Sequence, residues 1–335
     1  MGTVAVFVGL DYHDEAVQVC VLDPQGRPLA NRSCANDCGV IAALVAQHGE
    51  RVQAALESCA GAADLAEELV SRAGWSVDLA HPGFVARMKQ NPDKTDYQDA
   101  HLLADLERVG YLPRVWLAPE PVRELRQLVR YRQQLAGRRR NAKLRIRAVL
   151  REQRCPAPAE LNPWTRGWCR WLVERAPLSV QARWVVERHL RELGRLADDL
   201  REVEERLRQV TADDPEVTRL LGQRGIGPVT AWTLRAEIGR FDRFRTGKQL
   251  ARFCGLSPRN ASSGQRQADA GLIRAANPQL RAVLIEAAHR LGRLDRRWRA
   301  FAQRLRTAGK PGSVVAAAVA NRWVRWLFHQ MRPAA

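Results

Sequence analysis

The sequence predicts a mixed α/β N-terminal domain, then an α-helical coiled-coil region and an α-helical C-terminal domain. Three observations lead there. Short β-branched runs alternate with helical stretches over residues 1–112. Three prolines interrupt 113–122, which reads as a linker. Beyond it, apolar residues recur at helical spacing. The expected boundaries are 1–112, 119–212 and 213–335.

Composition narrows the function classes. With 335 residues, 46% of them hydrophobic, the chain is globular and can bury a sizeable core. It has no apolar run of about eighteen residues, so no membrane span is expected. The opening Met1–Val8 lacks a basic leader and reads as a first strand. Seven scattered cysteines imply no disulfide framework and fit a reducing cytoplasm; Cys34 and Cys38 are a weak metal pattern without a second pair, and the seven histidines show no ligand spacing. Charge is the strongest signal. Lys and Arg number 54 against 36 Asp and Glu, a formal +18, which favours a polyanionic partner.

In order, residues 3–10 read as a buried strand, 16–22 as a second and 28–34 as a third, joined by turn chemistry at Asp23-Pro24-Gln25-Gly26. Together they suggest an antiparallel meander. Helix is expected over 39–48, strand over 52–56, helix over 62–73, strand over 75–80, and a short helix after His81-Pro82-Gly83. Asp96 and Asp99 follow, three apart, so on a helix they share one face. Asp11 and Glu57 each end a buried strand, where open α/β sheets place their sites. One at a time these acids read as caps and solvated ends. As a quartet they would repel one another unless a hard cation, Mg²⁺ or Mn²⁺, resolved the charge. Such ions suit phosphoryl transfer.

Residues 122–154 form a basic helix with twelve Lys or Arg, among them Arg138, Arg139, Arg140, Lys143, Arg145 and Arg147, against Glu124 and Glu152. Leu125, Leu128, Val129, Leu135, Leu144 and Ile146 supply its apolar side. A face so one-sided repels itself without a polyanion, so phosphate contacts are expected rather than a merely solvated surface. Trp164, Trp168 and Trp171 are spaced to share a helix face and read as a packing seam rather than a base-stacking platform. The amphipathic stretch 184–210 is expected to pair with 122–150 as an antiparallel hairpin or coiled coil, a candidate dimerisation arm. In 216–240, a short helix meets Gly225-Ile226-Gly227 and Pro228 opens another: a helix-hairpin-helix pattern in which Gly225 and Gly227 let the backbone approach phosphate. A polar loop, 259–268, and helices over 278–290 and 313–331 complete the chain.

Lys94-Thr95-Asp96-x-x-Asp99-Ala100, the segment from Gly225 to Gly239, and Phe253-Cys254-Gly255-Leu256-x-Pro258 followed by Ser263-Gly264 resemble the insertion-sequence one-ten family of DEDD transposases, over essentially the whole chain. The resemblance implies a ribonuclease-H-like (RuvC-type) first domain, a coiled coil, and a C-terminal transposase domain. It places the family's acidic tetrad on Asp11, Glu57, Asp96 and Asp99, and its nucleophilic serine on Ser263, with Ser262 the adjacent alternative. It further implies a homodimer or homotetramer acting on element ends and target DNA, a noncoding guide RNA, and a bacterial, cytoplasmic protein associated with the nucleoid when bound. Two segments depart from the family pattern: Tyr12-His13 after the first aspartate, and Ile273-Arg274-Ala275-Ala276-Asn277. The rival readings are a RuvC-like Holliday-junction resolvase using water as nucleophile, a non-enzymatic nucleic-acid-binding protein, and a sugar-kinase-like fold, the last without the glycine-rich phosphate loops it would need.

Overall fold

The structure is a computed structural model and describes residues 5–89, 95–260, 269–273 and 276–332. The chain divides into two compact units, Met1–Pro119 and Glu120–Ala335. The regions 119–212 and 213–335, separate in the sequence reading, fall in the second apart from Pro119.

The first unit holds β1 (Ala5–Tyr12), β2 (Ala16–Leu22), β3 (Pro28–Ala35), α1 (Cys38–Ala46), β4 (Arg51–Glu57), α2 (Ala62–Ala73), β5 (Ser76–Ala80), α3 (Pro82–Met88), α4 (Asp96–Arg108) and β6 (Arg114–Val115). The strands make one sheet in the order β3-β2-β1-β4-β5-β6. The first three are the expected meander; β1, β4 and β5 run parallel, and β6 returns antiparallel. The sequence reading left Arg114 and Val115 in a linker. Arg114 makes them a strand, because its guanidinium donates to Asp78 on β5 and, at 2.7 Å, to the buried Glu107 on α4.

Strand alternation sorts the two faces. Val6, Val8 and Leu10 of β1, with Val52, Ala54 and Leu56 of β4, pack in one cluster with Ile41, Val45, Leu65 and Leu69 of α1 and α2. The opposite face carries Phe7, Cys20 and Leu22, packed with Ala100 and Ala104 of α4. Gly9 lies under that helix. A Cβ on Gly9 would overlap the Ala100 carbonyl and come 2.5 Å from the Ala104 nitrogen. Only a residue without a side chain lets α4 lie so close to β1.

The second unit is helical with one small ribbon: α5 (Glu120–Glu152), α6 (Arg166–Glu174), α7 (Val180–Val210), α8 (Pro215–Leu221), α9 (Pro228–Ile238), α10 (Gly247–Phe253), β7 (Pro258–Asn260), β8 (Asp269–Leu272), α11 (Pro278–Leu294), α12 (Arg296–Thr307) and α13 (Gly312–Met331). Helices α5 and α7 form the expected antiparallel hairpin: Leu125, Val129 and Leu135 share a core with Leu196, Leu200, Val203 and Leu207, while Ile146 and Leu150 pack with Val186. At the base of the hairpin that core continues into α8–α13. Three expectations need correcting. Leu144 is 51% exposed and leaves the apolar side of α5. Trp164 precedes α6 rather than lying on it, because Thr165 caps that helix by accepting from the Trp168 amide. The polar loop has a base of paired strand, since β7 and β8 pair antiparallel.

Replacing Gly9 by valine should destabilise the protein by more than the ~1–3 kcal/mol usual for an overpacked core, because the obstacle is helix backbone. Thermal unfolding followed by circular dichroism measures this. An unchanged midpoint would mean that α4 does not rest on β1 at Gly9.

Candidate metal centre and nucleic-acid interface

Alternation in β1 and β4 decides which acids meet. Leu10 pairs in register with Leu56, so Asp11 and Glu57 follow one step later, side by side on adjacent strands and on the α4 face. Asp96 and Asp99 sit in the first turn of α4, where Thr95 caps the helix by accepting from the Gln98 amide at 3.3 Å. Acids in a first turn are favoured by the helix dipole. The contact at Gly9 therefore brings the start of α4 to the C-terminal ends of β1 and β4.

The tightest grouping includes a residue absent from the sequence-derived tetrad. Among the described residues, Asp11, His13 and Asp96 place one ligand atom each within 4.8 Å of one another. The His13 Nε2 is 3.5 Å from a carboxylate oxygen of both Asp11 and Asp96. Glu57 and Asp99 are outside this grouping. Asp99 is buried and accepts from the Lys89 ammonium at 2.7 Å. Histidine spacing along the chain gave no sign of His13; its partner Asp96 is 83 residues away, and only the fold joins them. Tyr12, the other departure from the family pattern, lies over Gly61, where a Cβ would overlap its hydroxyl.

The electrostatics agree with a site that wants a cation. Burial pushes the Asp11 carboxyl above its ordinary value of 3.8; His13 opposes this, and Asp99, Asp96 and Glu57 push it further up. Carboxylate oxygens with one imidazole nitrogen are a donor set suited to a divalent cation.

In the second unit the arginines of α5 divide by role. Near its start, Arg130 pairs with the buried Glu237 at 3.0 Å, Arg126 donates to the Ala236 carbonyl at 3.0 Å, and Arg132 pairs with Glu204 at 2.7 Å. These tie α5 to α9 and α7. Further on, Arg138, Arg139, Arg140, Arg145 and Arg147 are exposed. Among the described residues, Arg138, Arg139, Arg140 and Arg145 make no ion pair, so the one-sided charge faces solvent. Lys143 is half-buried, its ammonium 4.8 Å from the centre of the Trp164 ring.

The two glycines before α9 differ. Gly225 has φ +86°, and a Cβ there would come 2.5 Å from Leu291 of α11, so both its conformation and its packing require glycine. Gly227 caps α9, Pro228 takes the first helical position, and nothing lies within 4 Å of a Cβ at Gly227. Of the pair, Gly227 has the open backbone. Ser262 and Ser263 fall between β7 and β8 in the sequence and lie outside the described residues, as do Lys94, Arg274 and Ala275.

Carboxylates gathered at one sheet edge, in a chain that also carries an exposed basic helix, are the equipment of an enzyme acting on nucleic acid. Comparison with known proteins makes this specific. Residues 8–154 match a family of DEDD transposases of the IS110 type, described as "Transposase", and residues 217–303 match the "Transposase IS116/IS110/IS902 family". Together these matches take in well over half of the chain, and it belongs to this family of insertion-sequence transposases. Among its relatives are a "Probable family 20 transposase" of Pseudomonas aeruginosa, 28% identical with 82% of each chain covered, and the "Transposase for insertion sequence element IS1328" of Yersinia enterocolitica, 27% identical over 70% of this chain and 69% of that one. The "Transposase for insertion sequence element IS1111A" of Coxiella burnetii is 24% identical over 85% of this chain and 77% of the relative. No helix among the described residues is long and apolar enough to cross a membrane.

Asp11 supplies a pH prediction. Its folded pKa lies above 3.8, so its contribution to stability is complete below that pH and is lost as pH rises through the folded value. Asp11→Asn should therefore raise the thermal midpoint of the metal-free protein at neutral pH. The gain should shrink as pH falls towards 3.8. Thermal scans in chelator across pH check this; a variant less stable than wild type at pH 7 would contradict it.

Proposed function

We propose that the chain is a metal-dependent DNA recombinase that cuts and rejoins strands through a serine nucleophile under the direction of a noncoding RNA. The observation that carries the reading is the convergence of Asp11, His13 and Asp96 at the edge where Glu57 also ends its strand. In this reading Asp11, Glu57, Asp96 and Asp99 would hold Mg²⁺ or Mn²⁺ on a ribonuclease-H-like domain, with Lys89 paired to Asp99 beside them. Such an ion would supply positive charge at the scissile phosphate.

The serine does the covalent work. The Ser263 hydroxyl gives up its proton and its oxygen attacks phosphorus. The bond from phosphorus to one sugar oxygen breaks, and that oxygen leaves as a hydroxyl after taking a proton. The strand is then held as a phosphoserine, which conserves the ester for rejoining. Attack by a second sugar hydroxyl restores the serine. The family resemblance implies a composite site shared between copies in a homodimer or homotetramer, with Asp96 from one copy and Ser263 from another. The exposed run Arg138, Arg139, Arg140, Arg145 and Arg147, together with Lys143, takes the phosphates of guide RNA or DNA. Gly225 and Gly227 form the turn of a helix-hairpin-helix, with the backbone at Gly227 facing phosphate.

The experiment is to trap covalent protein–DNA adducts on element-end DNA with guide RNA and Mg²⁺. Ser263→Ala should abolish the adduct, and Asp96→Asn should lower its yield by two orders of magnitude or more, on the scale of losing a metal or electrostatic group. Adducts that persist with both Ser262 and Ser263 replaced would sink the serine mechanism. Cleavage without adduct or rejoining would point instead to water as nucleophile.

A further inference from the structure

At the far end of the helical hairpin, α5, α6 and α7 border an open cavity of about 970 Å³ that the proposed reaction does not use. Its cationic rim is Arg139 and Lys143 of α5 with Arg166 and Arg170 of α6. Trp164 stands beside them, and Leu190, Leu193 and Gly194 of α7 line the opposite wall. The volume is within the range of small-ligand sites. Two carboxylates, Glu174 and Asp198, also line it, and Asp198 is paired with Arg201.

Two features of this end of the hairpin cost stability. Trp164 has φ 71°, a region a bulky residue rarely enters. Its ring packs 4.8 Å from that of Trp168, with Lys143 4.8 Å and Arg147 5.5 Å from its ring centre. Gly194 lies in the middle of α7, where glycine is worse than alanine by about 1 kcal/mol. Its φ is not left-handed, and a Cβ there would meet nothing within 4 Å. No neighbour demands the glycine. What a side chain at that position would take is cavity space.

An aromatic ring, an apolar wall and a rim of guanidinium groups form the complement of a nucleotide: a base to stack and a phosphate to pair. The exposed Arg138, Arg139 and Arg140 continue the positive charge along α5, which suits a ligand that is part of a strand rather than a free nucleotide. A base stacked inside a duplex could not enter. We infer that this cavity takes one unstacked nucleotide from a single-stranded stretch of nucleic acid, its base against Trp164 and the α7 wall and its phosphate on Arg139, Arg166 and Arg170. The inference rests on the reading of the arm as nucleic-acid-binding and adds to it a preference for unpaired bases.

The full-length protein is titrated with two oligonucleotides of equal length, a hairpin with 2-aminopurine in its single-stranded loop and a fully paired duplex. Wild type should bind the hairpin about tenfold more tightly, with a change in 2-aminopurine fluorescence, the scale of one stacked base. Gly194→Trp fills the cavity without altering charge and improves helix propensity. It should abolish both the preference and the fluorescence change while leaving duplex affinity as in wild type. Trp164→Leu should do the same. Retention of the preference in both variants, with helical content unchanged, would overturn the pocket and leave the basic arm standing. Failure of wild type to bind either oligonucleotide would overturn the arm and the pocket together.

Discussion

The first unit depends on one close contact, the backbone of α4 resting on β1 across Gly9. Ala100 and Ala104 of the helix are fully buried against that face, and nothing larger than alanine would leave the helix so near the sheet. Because α4 is anchored there, its first turn hangs over the ends of β1 and β4. Asp96 reaches Asp11 as a result, and His13 comes to bridge them. The acids are thus placed by a packing contact one helical turn away, made by residues with no charge at all.

The acidic edge is also where the unit works against its own stability. Asp11 is half-buried among Asp99, Asp96 and Glu57 and is harder to ionise for it. Lys89 answers Asp99 and His13 partly answers Asp11, so the repulsion is reduced by movable side chains rather than removed by permanent pairing. Glu237 shows the alternative. It is more deeply buried than Asp11, yet Arg130 holds it with two hydrogen bonds and Arg126 lies beside it, and it joins helices instead of waiting for a partner. Groups that stay under-compensated at a sheet edge are candidates for binding; groups fully met by guanidinium are mortar.

Much of this was legible in the sequence, because strands and their ends are local. The β-branched runs and the turn at Asp23–Gly26 announce β1 and β2 from neighbouring residues alone. Alternation then puts Asp11 and Glu57 on one face. What could not be read depends on contacts far apart in the chain. His13 looks like a loop histidine until Asp96 is folded against it. Arg114 looks like linker until Asp78 and Glu107 claim it. Leu144 counts towards an apolar stripe whose partner helix does not cover it, and Trp164 fits a helical spacing that the cap at Thr165 cuts short.

The helical hairpin has two hearts. Leu125, Val129 and Leu135 belong to the large core at its base, Ile146 and Leu150 to a small tryptophan-containing core at its tip, and the polar run Gly137–Asn141 separates them on α5. A helix of this length spans about 50 Å, far enough that the two clusters share no side chain. Each end is therefore held by its own cluster, the tip with only its own few apolar contacts. The two ends of the arm are thus held separately, the base by the body of the unit and the tip by its own small core.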